Sequence, residues 1–285
     1  MEETQGNPKT SLAKQVQNKE IKDVDELLNQ GRVILESEVI DGLIELETEL
    51  LLIGQSKGKF GGGQRRVFRQ TQKKTREGNK PRFTTFAVVG DKNGHIGMGY
   101  GKSKETVLAR EKAIRKAKIS IFTIKRGSGS WESQSSEPHS IPFAVEGKCG
   151  SVIIRLMPAP KGTGLCIEKE CAKILEFAGI KDVWSKTFGQ TKNKMNLIKA
   201  LEQALKKLVQ TKVQLKHTDL LHILTGSEKI VTPVSEEEAV EDKKKEEGKK
   251  KEKEDAKTKP RKATKKVVKK ETKTKSKEDK KEDEK

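Results

Sequence analysis

The hydrophobic pattern first resolves into strands and then into a helix. Apolar and β-branched runs near residue 45, at Phe83–Val89 and at His95–Tyr100 predict strands, and Asn93-Gly94 is a strong hairpin signal. Apolar residues then recur at helical spacing from about Ser103 to Lys118, with Ser103 as the expected N-cap. The order β-β-β-α predicts a small α+β module of the RNA-binding kind.

The predicted helix has two unlike faces. At 100° per residue, Val107, Ile114, Ala117 and Ile121 fall on one stripe, which we expect to pack on the sheet. The cations of this region are expected to face solvent: Lys104, Lys112, Arg115 and Lys116.

A second α+β unit follows a segment rich in Gly, Ser and Pro. Strands are predicted at 143–146 and 151–157, joined by Gly147–Gly150, and again at 182–188. Helices are predicted at 169–178, where Gly179 is a C′ residue, and at 193–208. The second helix has an apolar stripe made of Leu197, Ile198, Leu201, Leu205 and Leu208.

The N-terminal segment is helical and acidic by pattern. Short helices are predicted at Ser11–Ile21 and Asp23–Leu28, before Gly31. Residues 1–53 hold 5 basic and 12 acidic side chains, so we expect them to pack on the protein body or on a protein neighbour rather than on RNA.

The net charge of the chain limits the kinds of function that it can have. The 285 residues include 61 Lys+Arg against 42 Asp+Glu, a net charge of +19, which makes a polyanion the expected partner. No apolar run is long enough for a membrane-spanning helix, and no basic start precedes an apolar stretch as in a secretory signal. Three cysteines suit a reducing, cytoplasmic location.

The tail at 235–285 is predicted to be disordered. It is rich in Lys and Glu, has no aromatic residue, and cannot bury enough apolar surface to offset its ordering entropy. Two interpretations stay open, namely a solvated charge-mixed tail and a basic arm that follows a phosphate backbone.

The densest positive charge lies at 54–82, with 10 basic residues and one acidic residue. Guanidinium groups bind phosphates bidentately, and the interleaved Gln and Thr side chains can bond sugars and base edges. This segment is therefore predicted to be a basic hairpin that binds nucleic acid. Its cations are Lys57, Lys59, Arg65, Arg66, Arg69, Lys73, Lys74, Arg76, Lys80 and Arg82, and Arg126 and Lys161 are further candidate contacts.

Two other features admit alternatives. Gly99, Gly101 and Lys102 could bring the backbone to an RNA phosphate at a helix start, or could form an ordinary strand-to-helix turn. Trp131 could stack on a base or could anchor the packing of two units.

Enzyme chemistry is not supported by any motif. Gly101-Lys-Ser103 lacks the first glycine of a P-loop, and Gly97-Met-Gly99 lacks the last glycine of a dinucleotide fingerprint. Cys166 and Cys171, like His217 and His222, lie five residues apart, which does not suit shared metal ligation. The sequence therefore predicts no catalytic residue, metal or other cofactor.

Several spaced blocks resemble a known family. They are Val88–Lys102, Glu137–Pro142, Gly147–Val152, Pro158–Gly164 and Ala178–Thr187, within about residues 8–210. In this order they resemble the archaeal and eukaryotic branch of small-subunit ribosomal protein five.

The resemblance implies a fold and a role. It implies an N-terminal domain similar to a double-stranded-RNA-binding fold and a C-terminal left-handed β-α-β domain. It further implies an rRNA-binding hairpin around Arg65–Arg76 and a glycine turn at Gly97–Lys102. The implied protein is a structural ribosomal constituent that supports subunit assembly and decoding fidelity. Its partners would be small-subunit rRNA, neighbouring ribosomal proteins and messenger RNA (mRNA) near the channel through which it enters, with no membrane. The alternative is a free-standing double-stranded-RNA-binding protein or RNA chaperone.

The expected organisation of the chain has six parts. They are a helical extension (1–44), an RNA-binding-like domain (45–124), a linker (125–142), a C-terminal α+β domain (143–210), an unassigned extension (211–234) and the charged tail (235–285).

Overall fold

The computed structural model describes residues 8–55, 65–133 and 136–226. The charged tail, predicted to be disordered, lies outside the described residues, as do Lys57 and Lys59. Within the described ranges, no helix is both long enough and apolar enough to cross a membrane.

Three short helices form the acidic N-terminal extension. They are α1 (Ser11–Gln17), α2 (Val24–Asn29) and α3 (Ser37–Asp41). Thr10 begins α1 by accepting a hydrogen bond from the Ala13 N–H, and α1 ends before Lys19, whose φ of 59° is not helical. The prediction of a helix continuing to Ile21 is therefore wrong. The pattern also missed α3, which buries Val39 and Ile40.

The first half of the body is an antiparallel sheet with one long helix. Its elements are β1 (Glu47–Leu50), β2 (Arg69–Thr75), β3 (Gly78–Gly90), β4 (His95–Ser103), α4 (Thr106–Ile119) and β5 (Ile121–Thr123). The strand order is β1-β3-β4-β5, and β2 pairs with the outer part of β3. The predicted β-β-β-α order is confirmed.

Glycines on β4 let α4 lie unusually close to the sheet. A Cβ at Gly97, Gly99 or Gly101 would come within 2.0–2.1 Å of a carbonyl oxygen of α4. The helix therefore presents only alanines there, and Ala109, Ala113 and Ala117 are fully buried.

Most of the predicted stripe of α4 faces inward, since Ala117 and Ile121 are buried and Ile114 packs against the cluster that contains Ala117, but Val107 does not. Val107, expected to face the sheet, is 62% exposed because the glycine-lined strand has room only for small residues. Ser103 is the last residue of β4 rather than the N-cap, which is Glu105.

The second half places two helices on one side of a four-stranded sheet. Its elements are β6 (Lys125–Arg126), β7 (Val145–Cys149), β8 (Val152–Pro158), β9 (Leu165–Cys166), α5 (Lys169–Phe177), β10 (Val183–Phe188), α6 (Lys194–Gln210), α7 (Leu215–Leu220) and β11 (Leu224–Thr225). The order is β7-β8-β10-β9, and β9 runs parallel to β10, so β9–α5–β10 is a β-α-β unit.

Most details of this half agree with the predictions made from the sequence. The predicted apolar stripe of α6 is buried, and Gly179, with φ of 79°, follows the C-cap of α5 as expected. Gly147 lies within β7 rather than in a turn, because the bend falls at Gly150-Ser151. The fold class is mixed α+β, as predicted.

One apolar core joins the two halves. It includes Phe86 and Val88 of β3, Ile141, and Ile174 and Leu175 of α5.

The segment 125–142 takes part in this packing. Ser140 and Ile141 are fully buried, and His139 Nδ1 lies 2.9 Å from Asp182 Oδ2 in a buried pair. Strand β6 pairs with β11, which brings the unassigned residues 224–225 back onto the body.

Candidate nucleic-acid interface

The basic hairpin is formed by β2 and the outer part of β3. Arg69 pairs with Thr84, Lys73 with Lys80 and Thr75 with Gly78, and the Thr75 hydroxyl donates to the Gly78 carbonyl across the turn at 2.7 Å. The strand period places Arg69, Thr71 and Lys73 on one side of β2, and it places the two glutamines and Lys74 on the other.

One face collects most of the charge. Because paired residues share a side of the sheet, five cations lie on the same side of β2, β3 and β4. We call this surface the cationic face: Arg69, Lys73, Lys80, Arg82 and Lys102. Arg69 and Lys102 form one row with Thr84 between them, and all five cations are exposed.

The other side of the hairpin is mainly neutral. It carries Gln70, Gln72 and Lys74, opposite Phe83, Pro81 and Asn79. Arg76 lies in the turn. The two sides of the hairpin therefore differ in charge.

Little acidic charge neutralises the cationic face. Lys80 Nζ lies 2.7 Å from Glu77 Oε2, and both side chains are exposed. For the other four cations, no ion pair occurs within the parts of the chain that the structure describes. Lys73 faces Lys80 directly, an arrangement of like charges that is destabilising without an external anion.

The base of the hairpin is anchored to the body. The Gly54 N–H donates to the Arg66 carbonyl at 2.7 Å, which holds Arg65 and Arg66 at the entrance to the hairpin. Arg69 Nη1 lies 3.7 Å from Met195 Sδ in the first turn of α6. The cationic face therefore adjoins the second half of the protein.

The cations of α4 form a separate surface. Lys112, Arg115 and Lys116 are exposed on the helix, and Lys104 is exposed just before it. Ala87 and Val89 of β3 contact the buried side of α4, whereas Phe86 and Val88 face the shared core. The structure thus places the helix cations and the cationic face on opposite sides of the sheet.

Gly99 and Gly101 have a packing role instead of the predicted phosphate contact. Both are buried within β4, and the backbone that approaches them is that of α4. The predicted glycine turn at Gly97–Lys102 lies within strand β4. Its glycines allow the backbone of α4 to pack close to the strand.

The Arg126 side chain stabilises the fold by bonding two separate segments. Its Nη2 donates to the Asn93 carbonyl at 2.8 Å and to the Gly226 carbonyl at 3.1 Å. Burial lowers the pKa of this guanidinium below its ordinary value, and the nearby Asp91 carboxylate opposes that shift. Arg126 fastens the β3–β4 turn to the end of β11.

Trp131 and Lys161 are at the surface. Trp131 is 90% exposed, so it does not serve as a packing anchor in this structure, and its ring is open to a partner. Lys161 Nζ lies 2.7 Å from Glu137 Oε2, and this ion pair lowers the pKa of the Glu137 carboxyl.

A buried histidine between two carboxylates was missed by the sequence analysis. His95 Nδ1 lies 2.6 Å from Asp91 Oδ2, and Nε2 lies 2.9 Å from Asp25 Oδ1. Burial by itself would lower the pKa of His95, but the bonds to Asp91 and Asp25 outweigh it and raise that pKa. The Asp91 carboxyl likewise has a lowered pKa, because its bonds to His95 and Asn93 outweigh burial. The contact between His95 and Asp25 attaches α2 to the β3–β4 turn.

The cysteines and histidines do not assemble into a metal centre. Across the described residues, no group of three or more His, Cys, Asp or Glu side chains is placed to hold a metal ion. Cys171 is fully buried, and burial raises the pKa of its thiol well above its ordinary value.

An α+β body with an exposed cationic hairpin is typical of nucleic-acid-binding proteins. Two family models match the chain: "Ribosomal protein S5, N-terminal domain" over residues 67–125 and "Ribosomal protein S5, C-terminal domain" over residues 147–218. The chain belongs to the ribosomal protein S5 family, as the resemblance predicted. Members of this family are structural components of the small ribosomal subunit, not enzymes.

The chain is similar to archaeal proteins over most of its own length and most of theirs. The chain is 49% identical to small ribosomal subunit protein uS5 of Nanoarchaeum equitans, over 73% of its own length and 89% of the relative. It is 40% identical to that of Methanocaldococcus jannaschii, over 77% and 94%, and 42% identical to that of Thermofilum pendens, over 71% and 94%.

Proposed function

We propose that the protein is a non-enzymatic constituent of the small ribosomal subunit that binds rRNA through its cationic face. In this role it would act in the cytoplasmic ribosome, with rRNA and other ribosomal proteins as partners. The observation that carries the proposal is the cationic face itself, in a chain whose relatives are named small ribosomal subunit proteins.

The arrangement of the cations favours phosphate contact. Exposed side chains on a two-stranded ribbon can follow a backbone, and each guanidinium can bond one phosphate bidentately. Arg65, Arg66, Lys74 and Arg76 extend the same hairpin, and Lys57 and Lys59 belong to the segment that leads into it. In duplex RNA, recognition would therefore rest on shape, phosphate and 2′-hydroxyl groups.

The helix cations supply a second contact. Lys104, Lys112, Arg115 and Lys116 lie on the other side of the sheet from the cationic face. Two RNA segments, one on each side, suit a protein embedded in folded rRNA better than one lying on a single duplex. Trp131 and Lys161 are weaker candidates, since the first is isolated and the second is ion-paired.

The proposal extends to the messenger. Placement beside the channel through which mRNA enters, with effects on decoding fidelity and subunit assembly, follows from the family resemblance. Its support in this chain is the exposed charge on two sides of the sheet.

A triple substitution tests the cationic face. In Arg69→Ala/Lys73→Ala/Arg82→Ala, rRNA affinity should fall, and the slope of log K against log salt should decrease by roughly 0.7–0.9 for each phosphate that the protein no longer neutralises. Affinity for a fragment of small-subunit rRNA would be measured by filter binding at several salt concentrations.

The matched control uses the neutral side of the same hairpin. Gln70→Ala/Gln72→Ala/Asn79→Ala changes as many side chains but removes no charge, so its salt slope should equal that of the wild type. An unchanged slope in the charge variant, or equal effects in the two variants, would contradict the assignment.

Subunit association separates this function from a free-standing RNA chaperone. A constituent held by several surfaces should co-sediment with small subunits through a high-salt wash. A chaperone bound mainly by screened phosphate contacts should dissociate. Release of the whole pool by the wash would favour the chaperone.

A further inference from the structure

The C-terminal sheet has one covered face and one open face. Val145, Ile154 and Leu156 point towards the helices and are buried. The alternate residues of β8 and β10 point the other way and form what we call the outer sheet face: Ile153, Arg155, Met157, Trp184, Lys186 and Phe188.

Two aromatic rings are exposed on this face. Trp184 is 37% exposed and Phe188 is 47% exposed. They lie four residues apart on β10, about 13 Å along the strand, and point to the same side. Exposed apolar groups that share one face and are rimmed by polar residues mark interaction sites, whereas single exposed apolar residues do not.

The cross-strand register gives each ring its surroundings. Trp184 pairs with Met157 and Phe188 with Ile153, so each ring lies beside an apolar side chain. Between them Lys186 pairs with Arg155, and Lys186 Nζ lies 5.7 Å from the centre of the Phe188 ring. The order along the face is therefore ring, cation, ring.

Charge complementarity identifies the partner. Lys148 extends the row of Ile153 and Phe188, which adds a third exposed cation. Glu146 is the acidic residue of this face, and its Oε1 lies 3.4 Å from Arg155 Nε. The surplus favours an anionic chain, and rings that alternate with cations match bases that alternate with phosphates.

We propose that the outer sheet face binds unpaired nucleotides of the small-subunit rRNA, with bases stacked on Trp184 and Phe188 and phosphates held by Lys186 and Arg155. Stacking on a sheet face tolerates any base sequence, because every base has a π face. A duplex is excluded from this mode, since its bases are already stacked and paired. The inference rests on the RNA-binding role proposed above, but it uses a different surface and a different form of RNA.

Intrinsic fluorescence provides a direct readout. The chain has two tryptophans, so Trp131→Phe leaves Trp184 as the only one. An oligouridylate of about 12 nucleotides, a length that such sites cover, should quench Trp184 in this variant of the full chain. An abasic ribose-phosphate oligomer of equal length and a blunt RNA duplex should not quench it. Quenching by all three probes, or by none, overturns the proposal.

Substitutions then separate stacking from other contacts. Trp184→Ala and Phe188→Ala should each weaken oligouridylate binding about tenfold, measured by anisotropy of the labelled RNA. Trp184→Phe should retain most of the affinity, whereas Trp184→Leu should lose it, because leucine keeps apolar area but has no π face. Equal binding by the Phe and Leu variants would indicate apolar docking and overturn the proposal.

The two RNA surfaces can be told apart in the same assay. The cationic-face triple variant should retain Trp184 quenching by oligouridylate while its rRNA affinity falls. Trp184→Ala, which removes the fluorophore, is followed by anisotropy instead: its oligouridylate binding should fall while its affinity for a duplex RNA is kept. Loss of quenching in the triple variant would mean that the single-stranded RNA contacts the hairpin, and would overturn this site while leaving the proposed function in place.

Assembled particles identify the source of the RNA. Ultraviolet irradiation of small subunits washed free of messenger should cross-link the peptide that contains Trp184 and Phe188 to rRNA. A cross-link that forms only when messenger is added, or no cross-link at all, would overturn the assignment to rRNA.

Discussion

Lys73 and Lys80 lie directly opposite each other in the β2–β3 hairpin. Their Cβ atoms are separated by roughly 5 Å, as in any such pair, so their charges repel unless an anion lies near both. Glu77 pairs with Lys80 but not with Lys73. The hairpin is therefore built to be more favourable with a polyanion bound than without one.

Removing one of these two charges should separate stability from binding. In Lys73→Gln the free energy of unfolding should rise by about 0.2–1 kcal/mol, because the cross-strand repulsion is removed. The affinity for rRNA should fall at the same time. Chemical denaturation and filter binding on one preparation would measure both quantities.

The neighbouring position is the control for this pair of effects. Gln72→Ala lies on the other side of the strand, opposite Pro81, and should alter neither quantity substantially. If Lys73→Gln destabilised the protein, the interpretation of the lysine pair would be wrong.

The close packing of α4 on the sheet predicts that a larger residue at Gly99 destabilises the protein. An added Cβ would lie 2.1 Å from the Ala113 carbonyl oxygen, so Gly99→Ala must displace α4 from the sheet. We expect a loss of about 3 kcal/mol of unfolding free energy, at the upper end of overpacking effects. Thermal and denaturant unfolding would measure it.

Gly42→Ala is the matched control for Gly99→Ala. The nearest atoms to its added Cβ lie at 3.7 Å, an ordinary contact distance. Its change should stay within about 1 kcal/mol. Equal stability of the two variants would argue against the glycine–alanine interface.

The buried His95 makes stability depend on pH. Its pKa is raised in the folded state above the ordinary value of 6.5, so its contribution is complete below that value and is lost as pH rises through the folded pKa. Unfolding free energy should therefore fall as the pH rises above about 6.5 and through the folded pKa of His95. Asp91 has a lowered pKa, so it stabilises the fold fully at pH values above its ordinary pKa of 3.8. This stabilisation is lost only as the pH falls through the folded pKa of Asp91.

His95→Gln isolates the histidine contribution. The variant should be destabilised by about 3 kcal/mol near pH 6, since two carboxylates lose their buried cation, and its stability should be nearly constant over the same alkaline interval. Denaturant titrations at three pH values would measure this. A wild type with no alkaline decline would contradict the pairing.

Two arginines should separate folding from RNA contact. Arg126→Met removes the bonds to the Asn93 and Gly226 carbonyls, so it should cost about 2 kcal/mol of stability without changing RNA affinity at a temperature where the protein is folded. Arg115→Met, on the exposed side of α4, should change stability by less than about 0.5 kcal/mol and reduce RNA affinity. The reverse assignment of effects would show that Arg126 belongs to the RNA surface.

Local patterns predicted most of the elements. The Asn93-Gly94 turn, the C′ position of Gly179 and the apolar stripe of α6 each depend on a few neighbouring residues, so the sequence contains the whole signal. Pairings between distant residues were not predictable in the same way. His95 and Asp25 are separated by 70 positions, and neither lies in a motif.

Composition, hydrophobic period and spaced motifs were enough to predict the family, the mixed α+β class and the segment that holds the densest positive charge. The packing of the chain then fixed which candidate residues lie on the surface and which hold the fold together. Gly99 and Gly101 give α4 its close approach, Arg126 fastens a turn, and Trp184 and Phe188 share an open face. The position of a residue within the period of its strand or helix fixes which side of that element it occupies. Its exposure depends instead on what the rest of the chain packs against that side.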